Sequence, residues 1–276
     1  FSFTAVTETD GREIYLDGVK GDDNKTGNSV LDAVKTFGTA LEKAQTTLNE
    51  NEDVNEVKIY VSDTVTVSGT ETWKVPDEYA GKIILTRYRA HDGYMVEVSG
   101  SKANLTLENL VMDGGKDKLS SNYIYTSSMI LVQGEKATLN IEDGTVLRNN
   151  RAGSYSGISY DGGAVYVTGG GICNMNGGQI TGNESSYAGG GITAARNAVL
   201  NMRSGVIENN VAGPHASGQA RGSGGGVAIL EGSSMTMSGG TISSNLAGDG
   251  GGIHVGGEAP NLDYGINTLK MIGGQI

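Results

Sequence analysis

From about residue 129 onward, apolar and polar residues alternate with a period of two in stretches of three to five residues. That spacing predicts short strands that bury one face. The stretches recur as a unit of strand, turn, strand, turn and a corner ending in Asn. The first unit runs Met129–Val132, Ala137–Ile141 and Asp143–Asn149, and the second Gly163–Val167, Ile172–Met175 and Gly177–Asn183. The third runs Gly190–Ala194, Val199–Met202 and Ser204–Asn210, and the fourth Gly225–Ile229, Met235–Met237 and Gly239–Asn245. The fifth runs Gly251–Val255, Leu269–Met271 and Gly273–Ile276.

Written under one another, the units agree in register. In the second strand Leu139, Cys173, Leu200, Met235 and Leu269 share one inward position, and Ile141, Met175, Met202, Met237 and Met271 the next. Between them lie Asn140, Asn174, Asn201, Thr236 and Lys270, which point outward. The first strand turns Ile130/Val132, Val165/Val167, Ile192/Ala194, Val227/Ile229 and Ile253/Val255 inward. The Asn anchors fall at 149, 183, 210 and 245, intervals of 34, 27 and 35. Fixed anchors with uneven spacing mean one repeated unit whose loops differ in length at one corner. With no helix between the strands, the pattern predicts a stacked solenoid with one coil per repeat. The Gly pairs and Asn anchors read as corner residues, because both tolerate left-handed backbone.

Upstream, Glu13–Leu16 predicts a strand and Asp17–Ser29 a turn-rich loop. Phe37, Ala40, Leu41, Ala44 and Leu48 have helical spacing within Thr36–Leu48 and predict an amphipathic helix over the open apolar end of the first rung. Val57–Val61, Asp63–Gly69, Lys82–Arg87, Met95–Val98 and Leu105–Met112 read as early rungs, with Asp113 at the Asn corner. The expected division is therefore residues 1–56, a strand, loop and capping helix, and 57–276, one continuous β-helix. Its fifth unit stops at Ile276 before an Asn corner, so a longer protein or a second chain is expected to cover that rung.

Two motifs carry a family resemblance. Tyr15-Leu-Asp-Gly, then Gly21-Asp-Asp-Asn-Lys-Thr-Gly27, then Ala33-Val-Lys-Thr-Phe37 and a helix resemble the opening of secreted bacterial β-helix proteins of the pectate-lyase-like superfamily. The recurring GG(A/G)(I/V) and IxxN units resemble those of polymorphic outer-membrane-type and other large bacterial surface proteins. The resemblance implies an all-β chain, a right-handed single-stranded parallel β-helix with an N-terminal capping helix, on an extracellular protein that is secreted or attached to the cell wall. It does not imply one activity, since that superfamily holds lyases, glycoside hydrolases, adhesins and passive stalks.

Composition narrows the function. The chain has 276 residues, 45 of them Gly but only 3 Pro, which excludes collagen. A net charge of −11 disfavours nucleic acid as a partner. No apolar run is long enough to span a bilayer as a helix. The single Cys173 excludes an internal disulfide and falls at a core position. None of His91, His215 and His254 has metal-ligand spacing, and no phosphate loop or nucleophile elbow is present. Asp17, Asp22, Asp23 and Asn24 offer oxygen ligands for Ca²⁺, against the plainer reading of an Asx-turn loop.

Glycoside chemistry needs two acids roughly 5–10 Å apart. Only the corner loops bring acids near one another, namely Asp161, Glu184 and Asp249. Loops follow the Asn corner at 114–128, 150–161, 184–188, 211–223 and 246–249. The short one between two long ones predicts a cleft with Tyr123, Tyr125, Tyr155, Tyr160 and Tyr187 on its wall and His215 and Arg221 opposite. Aromatic faces beside polar groups hold sugar rings. A second patch, Arg87, Tyr88, Arg89, His91 and Asp92, is a local cationic cluster suited to an anionic sugar. The sequence thus favours a surface module for adhesion to glycan or cell-surface polysaccharide, or a structural stalk, over a glycoside hydrolase or polysaccharide lyase using the corner loops.

Overall fold

Parallel strands stacked rung on rung make up nearly all of the computed structural model, which describes residues 12–118, 126–153, 161–213, 222–256 and 265–276. Strand β1 (Glu13–Asp17) is followed by the helix α1 (Phe37–Glu50). The first turns of the solenoid carry β2 (Val57–Asp63), β3 (Val65–Val67), β4 (Thr70–Lys74) and β5 (Ile83–Arg87), then β6 (Val96–Ser99), β7 (Asn104–Glu108) and β8 (Val111–Asp113). Two four-strand rungs follow: β9 (Ile130–Gln133), β10 (Thr138–Ile141), β11 (Val146–Arg148) and β12 (Arg151–Ala152), then β13 (Val165–Thr168), β14 (Ile172–Met175), β15 (Gln179–Thr181) and β16 (Glu184–Ser185). A third has β17 (Ile192–Ala194), β18 (Val199–Met202), β19 (Val206–Glu208) and β20 (Val211–Ala212). The last rungs are β21 (Val227–Ile229) with β22 (Ser234–Ser243), and β23 (Ile253–Val255) with β24 (Thr268–Gln275).

The strands form three sheets. One orders β23-β21-β17-β13-β9-β6-β3, and a short one orders β12-β16-β20. In the largest, two ladders, β1-β2-β5-β8-β11-β15-β19 and β4-β7-β10-β14-β18, meet on the ten-residue β22, which passes from one to the other unbroken. This is a parallel β-helix solenoid with an N-terminal helix. The registers match the repeat: Leu139 pairs Cys173, Cys173 pairs Leu200, and Leu200 pairs Met235. All four are buried, and so are the first-strand positions Val165/Val167, Ile192/Ala194 and Val227/Ile229. In the last rung the equivalents are open: Val255, Leu269 and Met271 are 42%, 37% and 46% exposed.

Three features differ from the sequence expectation. Strand β4 has no counterpart in the sequence pattern, because in Thr70–Lys74 only Trp73 turns inward and no alternation shows. The corner loops start as strands, since β12, β16 and β20 pair in parallel. The corner Asn ladder begins at Asn150, not Asn149, and Asp113 is two residues out of step with it, paired instead with Arg148 on the outer face. In the buried column the backbone N–H of Asn150 donates to Asn183 Oδ1 (3.1 Å), that of Asn183 to Asn210 Oδ1 (3.0 Å), and that of Asn210 to Asn245 Oδ1 (2.9 Å). Positive φ falls on the residue before each, at Asn149, Gly182, Asn209 and Ser244.

The Gly pairs have two causes: those of the second corner carry the expected left-handed backbone, at Gly178, Gly240 and Gly274, and those at the start of the first strand do not. Gly163, Gly190, Gly225 and Gly251 stack with the backbone of successive rungs in contact. A Cβ at Gly163 would collide with the carbonyl oxygen of Gly190, one at Gly190 with that of Gly225, and one at Gly225 with that of Gly251. None of these four has positive φ. Close approach, rather than left-handed backbone, excludes a side chain there.

At the other end, α1 closes the core. Thr36 caps it, accepting from the N–H of Thr39, and Phe37, Ala40 and Ala44 are buried. The Phe37 ring stacks on Trp73 with centroids 4.5 Å apart and planes 13° from parallel. Among the described residues no helix is long and apolar enough to cross a membrane.

Candidate functional site

Of the residues expected to line the loop cleft, Tyr123, Tyr125, Tyr155, Tyr160, His215 and Arg221 lie outside the described residues. Tyr187 is half-buried and packs, with Tyr166, against a satellite cluster of Ala188, Ala195, Ala228 and Leu230. That cluster sits on the outer face of the β23-to-β3 sheet, where Leu131, Thr193 and Ala228 are buried rather than solvated. The 184–188 segment therefore folds back over this face, and Tyr187 packs its own loop.

The three candidate acids have separate surroundings. Glu184, on β16, is clamped by Lys116 Nζ at 2.9 Å and Arg151 Nε at 2.7 Å, one on each carboxylate oxygen. Burial works to raise its pKa, but the hydrogen bonds and charges of Arg151 and Lys116 outweigh it and hold the carboxyl below its ordinary value. Asp161 accepts from Tyr94 Oη at 3.1 Å, and burial followed by that carboxylate pushes the Tyr94 hydroxyl up. Asp249 is exposed at a bridge with Ser223. A hydrolytic general acid needs a raised pKa, and Glu184 is shifted the other way.

In the N-terminal loop the proposed Ca²⁺ ligands act on the chain itself. Asp17 Oδ1 accepts from the N–H of Val19 (3.0 Å) and Lys20 (2.6 Å). Asp22 Oδ1 accepts from the Asn24 backbone (3.0 Å) and side chain (2.9 Å), which hold it below the usual carboxylate range. Asp23 Oδ1 accepts from Lys35 and Thr36 N–H, both at 2.9 Å, fastening the loop to the start of α1. These are Asx turns and loop ties. Among the described residues no three His, Cys, Asp or Glu side chains converge as a metal site.

The cationic patch divides. Arg87 and His91 turn inward. The Arg87 guanidinium donates to the carbonyls of His91, Gly93, Ser127 and Ser128 and to Asn150 Oδ1 at 3.2 Å, closing the acceptor end of the Asn column. Burial pushes its pKa down to about 9. Burial likewise lowers the pKa of His91, whose Nε2 lies 2.8 Å from Tyr94 O. Arg89 stays exposed and Tyr88 half-exposed.

An aromatic face lies apart from the corner loops, on the first rungs. Tyr15 pairs with Tyr60 across β1 and β2, their rings stacked at 5.5 Å. Tyr88 meets both edge-on, at 5.9 and 6.4 Å. Lys118 Nζ lies 5.3 Å over the Tyr60 ring. The three rings line a groove of about 420 Å³, and Glu13 and Tyr60 continue into a neighbouring one of about 450 Å³. The signal was present in the sequence: Glu13-Ile-Tyr-Leu16 and Lys58-Ile-Tyr-Val61 are one motif, and stacking them places tyrosine over tyrosine on the outer face.

Compared with models of protein families, with curated proteins and with solved structures, the chain matches none. The resemblance to secreted bacterial β-helix proteins therefore rests on the motifs that carry it.

Proposed function

We propose that this chain is a non-catalytic, extracellular module, secreted or cell-wall attached, that binds glycan on the outer face of its first rungs. The observation that carries the reading is the platform of Tyr15, Tyr60 and Tyr88 in a surface groove. Tyrosine rings offer apolar faces to sugar C–H groups, and their hydroxyls supply directed hydrogen bonds. The strands beneath are locked in register, so the platform needs little ordering on binding. The engaged state of Glu184 and Asp161 supports binding without turnover.

The test is a glycan and polysaccharide array with the purified chain, with calcium and with chelator, products followed by mass spectrometry. Binding without product, lost on Tyr60→Ala with Tm retained, is the expected result. Product formation overturns the non-catalytic reading and directs attention to Asp161, Glu184 and Asp249. Neither binding nor product overturns glycan recognition and leaves a stalk.

A further inference from the structure

The tyrosine groove is charged in a way that a neutral sugar does not require. Its wall carries Glu13, Arg89 and Lys118 beside the rings. Glu13 accepts from Tyr15 Oη at 2.9 Å, so that carboxylate is engaged with the platform itself. Arg89 and Lys118 are exposed, and among the described residues neither forms an ion pair with a carboxylate. Elsewhere on the same side cations are matched: Lys58 pairs Glu56 at 3.1 Å, and Arg148 pairs Asp113 at 3.0 Å. Two cations without carboxylate partners thus flank three aromatic rings in a chain of net charge −11. The acidic remainder repels polyanions at long range, so an anionic ligand would need this local pair.

We infer that the groove is a subsite for a saccharide unit bearing an anionic substituent, a carboxylate or a sulfate. The tyrosine faces take the sugar ring, Arg89 takes the anion through its planar fork, and Lys118 supplies a point charge from beside Tyr60. The adjoining groove, reached past Glu13 and Tyr60, is lined by Asp53 and Glu56 as well as Arg12 and Lys58, a mixed wall that adds nothing to the anion site. Both volumes fall within the roughly 300–1,000 Å³ of small-ligand sites. This assignment rests on the glycan-binding reading and adds the chemistry of the sugar and the residues that select it.

The experiment is calorimetric titration with three probes of matched length: an oligogalacturonate, a sulfated dextran oligosaccharide and the unsulfated dextran oligosaccharide, with inorganic sulfate as a fourth. The expected result is binding of the two acidic sugars, weakened as NaCl is raised, and no binding of the neutral one. Arg89→Ala and Lys118→Ala should each weaken it about tenfold, the scale of a charge-assisted hydrogen bond. Tyr60→Ala should weaken both acidic probes alike, and Arg203→Ala, on a distant outer face, should change neither. Equal binding of the neutral probe, or affinity unmoved by the two charge variants, overturns the inference. So does inorganic sulfate binding as tightly as the sulfated sugar, which would mean a bare anion site. Because Arg89 and Lys118 are exposed, their variants test the site even where Tyr60→Ala unfolds the rung. Array binding that survives the Arg89→Ala/Lys118→Ala double variant sinks this assignment and leaves glycan recognition standing, whereas an array with no binding at all sinks both.

Discussion

Single residues hold the corners in two distinct ways. Asn183 sits at the centre of the buried column: its Oδ1 accepts from the Asn150 backbone, and its Nδ2 donates to Leu147 O, Thr181 O and Asn210 Oδ1. Asn183→Ala removes all of these at once. Each buried group left unpaired costs about 1–3 kcal/mol, so urea unfolding should show a large loss of stability. The outer ladder, in which Asn174 donates to Asn140 and Asn201 to Asn174, both at 2.9 Å, is half-exposed. There Asn174→Ala should cost under about 1 kcal/mol, because water replaces the lost partners. Cys173 is fully buried, and burial pushes its thiol up to about 12. It should react with a thiol reagent at pH 8 only at the rate of unfolding, which makes it a native reporter of global opening.

Among the elements, α1 and the β12–β16 corner give separable predictions. Phe37 stacks on Trp73 over the first rung, so Phe37→Ala should cost about 3–5 kcal/mol, while Thr36→Ala should cost about 1 kcal/mol through its cap. At the corner, the Glu184 carboxyl is held below its unfolded value by Lys116 and Arg151. A depressed acid contributes stability above the unfolded pKa, near 4.3, and loses it as pH falls through the folded one. Glu184→Gln should therefore be furthest below the parent in stability at neutral pH, with the gap closing below about pH 4 in denaturant series at each pH. The elements legible in the sequence were those with a period. Alternation in Thr138–Ile141 or Ile172–Met175, and the 3.6 spacing of Phe37, Ala40 and Ala44, follow from which face is dry. Strand β4 shows one inward residue, and β12, β16 and β20 have two residues each, too few for any period to register.

For the whole molecule, register is local to each rung. The stack of Gly163, Gly190, Gly225 and Gly251 restarts each of the last four coils at a fixed point, whatever the length of the loop before it. Three Gly or Ser residues inserted after the exposed Gly248 should leave Tm nearly unchanged, since lengthening a loop costs only about 0.6 kcal/mol per doubling. One residue inserted between Cys173 and Asn174 should abolish the cooperative transition, because it turns Met175 outward. Register is also why the site was only partly legible. The loop lengths place a cleft above the third rung, and its one described tyrosine, Tyr187, packs its own loop. The platform joins Tyr15, Tyr60 and Tyr88, separated by a helix and a rung and brought together by the pairing of β1 with β2 and of β2 with β5. The position of α1 has a further consequence. The helix α1 is synthesised before the rungs it covers, and the backbone N–H groups of Asn150, Asn183 and Asn210 each find their acceptor in the rung that follows. The solenoid thus has a fixed starting point and a single growing edge, and its order of assembly can run with the order of synthesis.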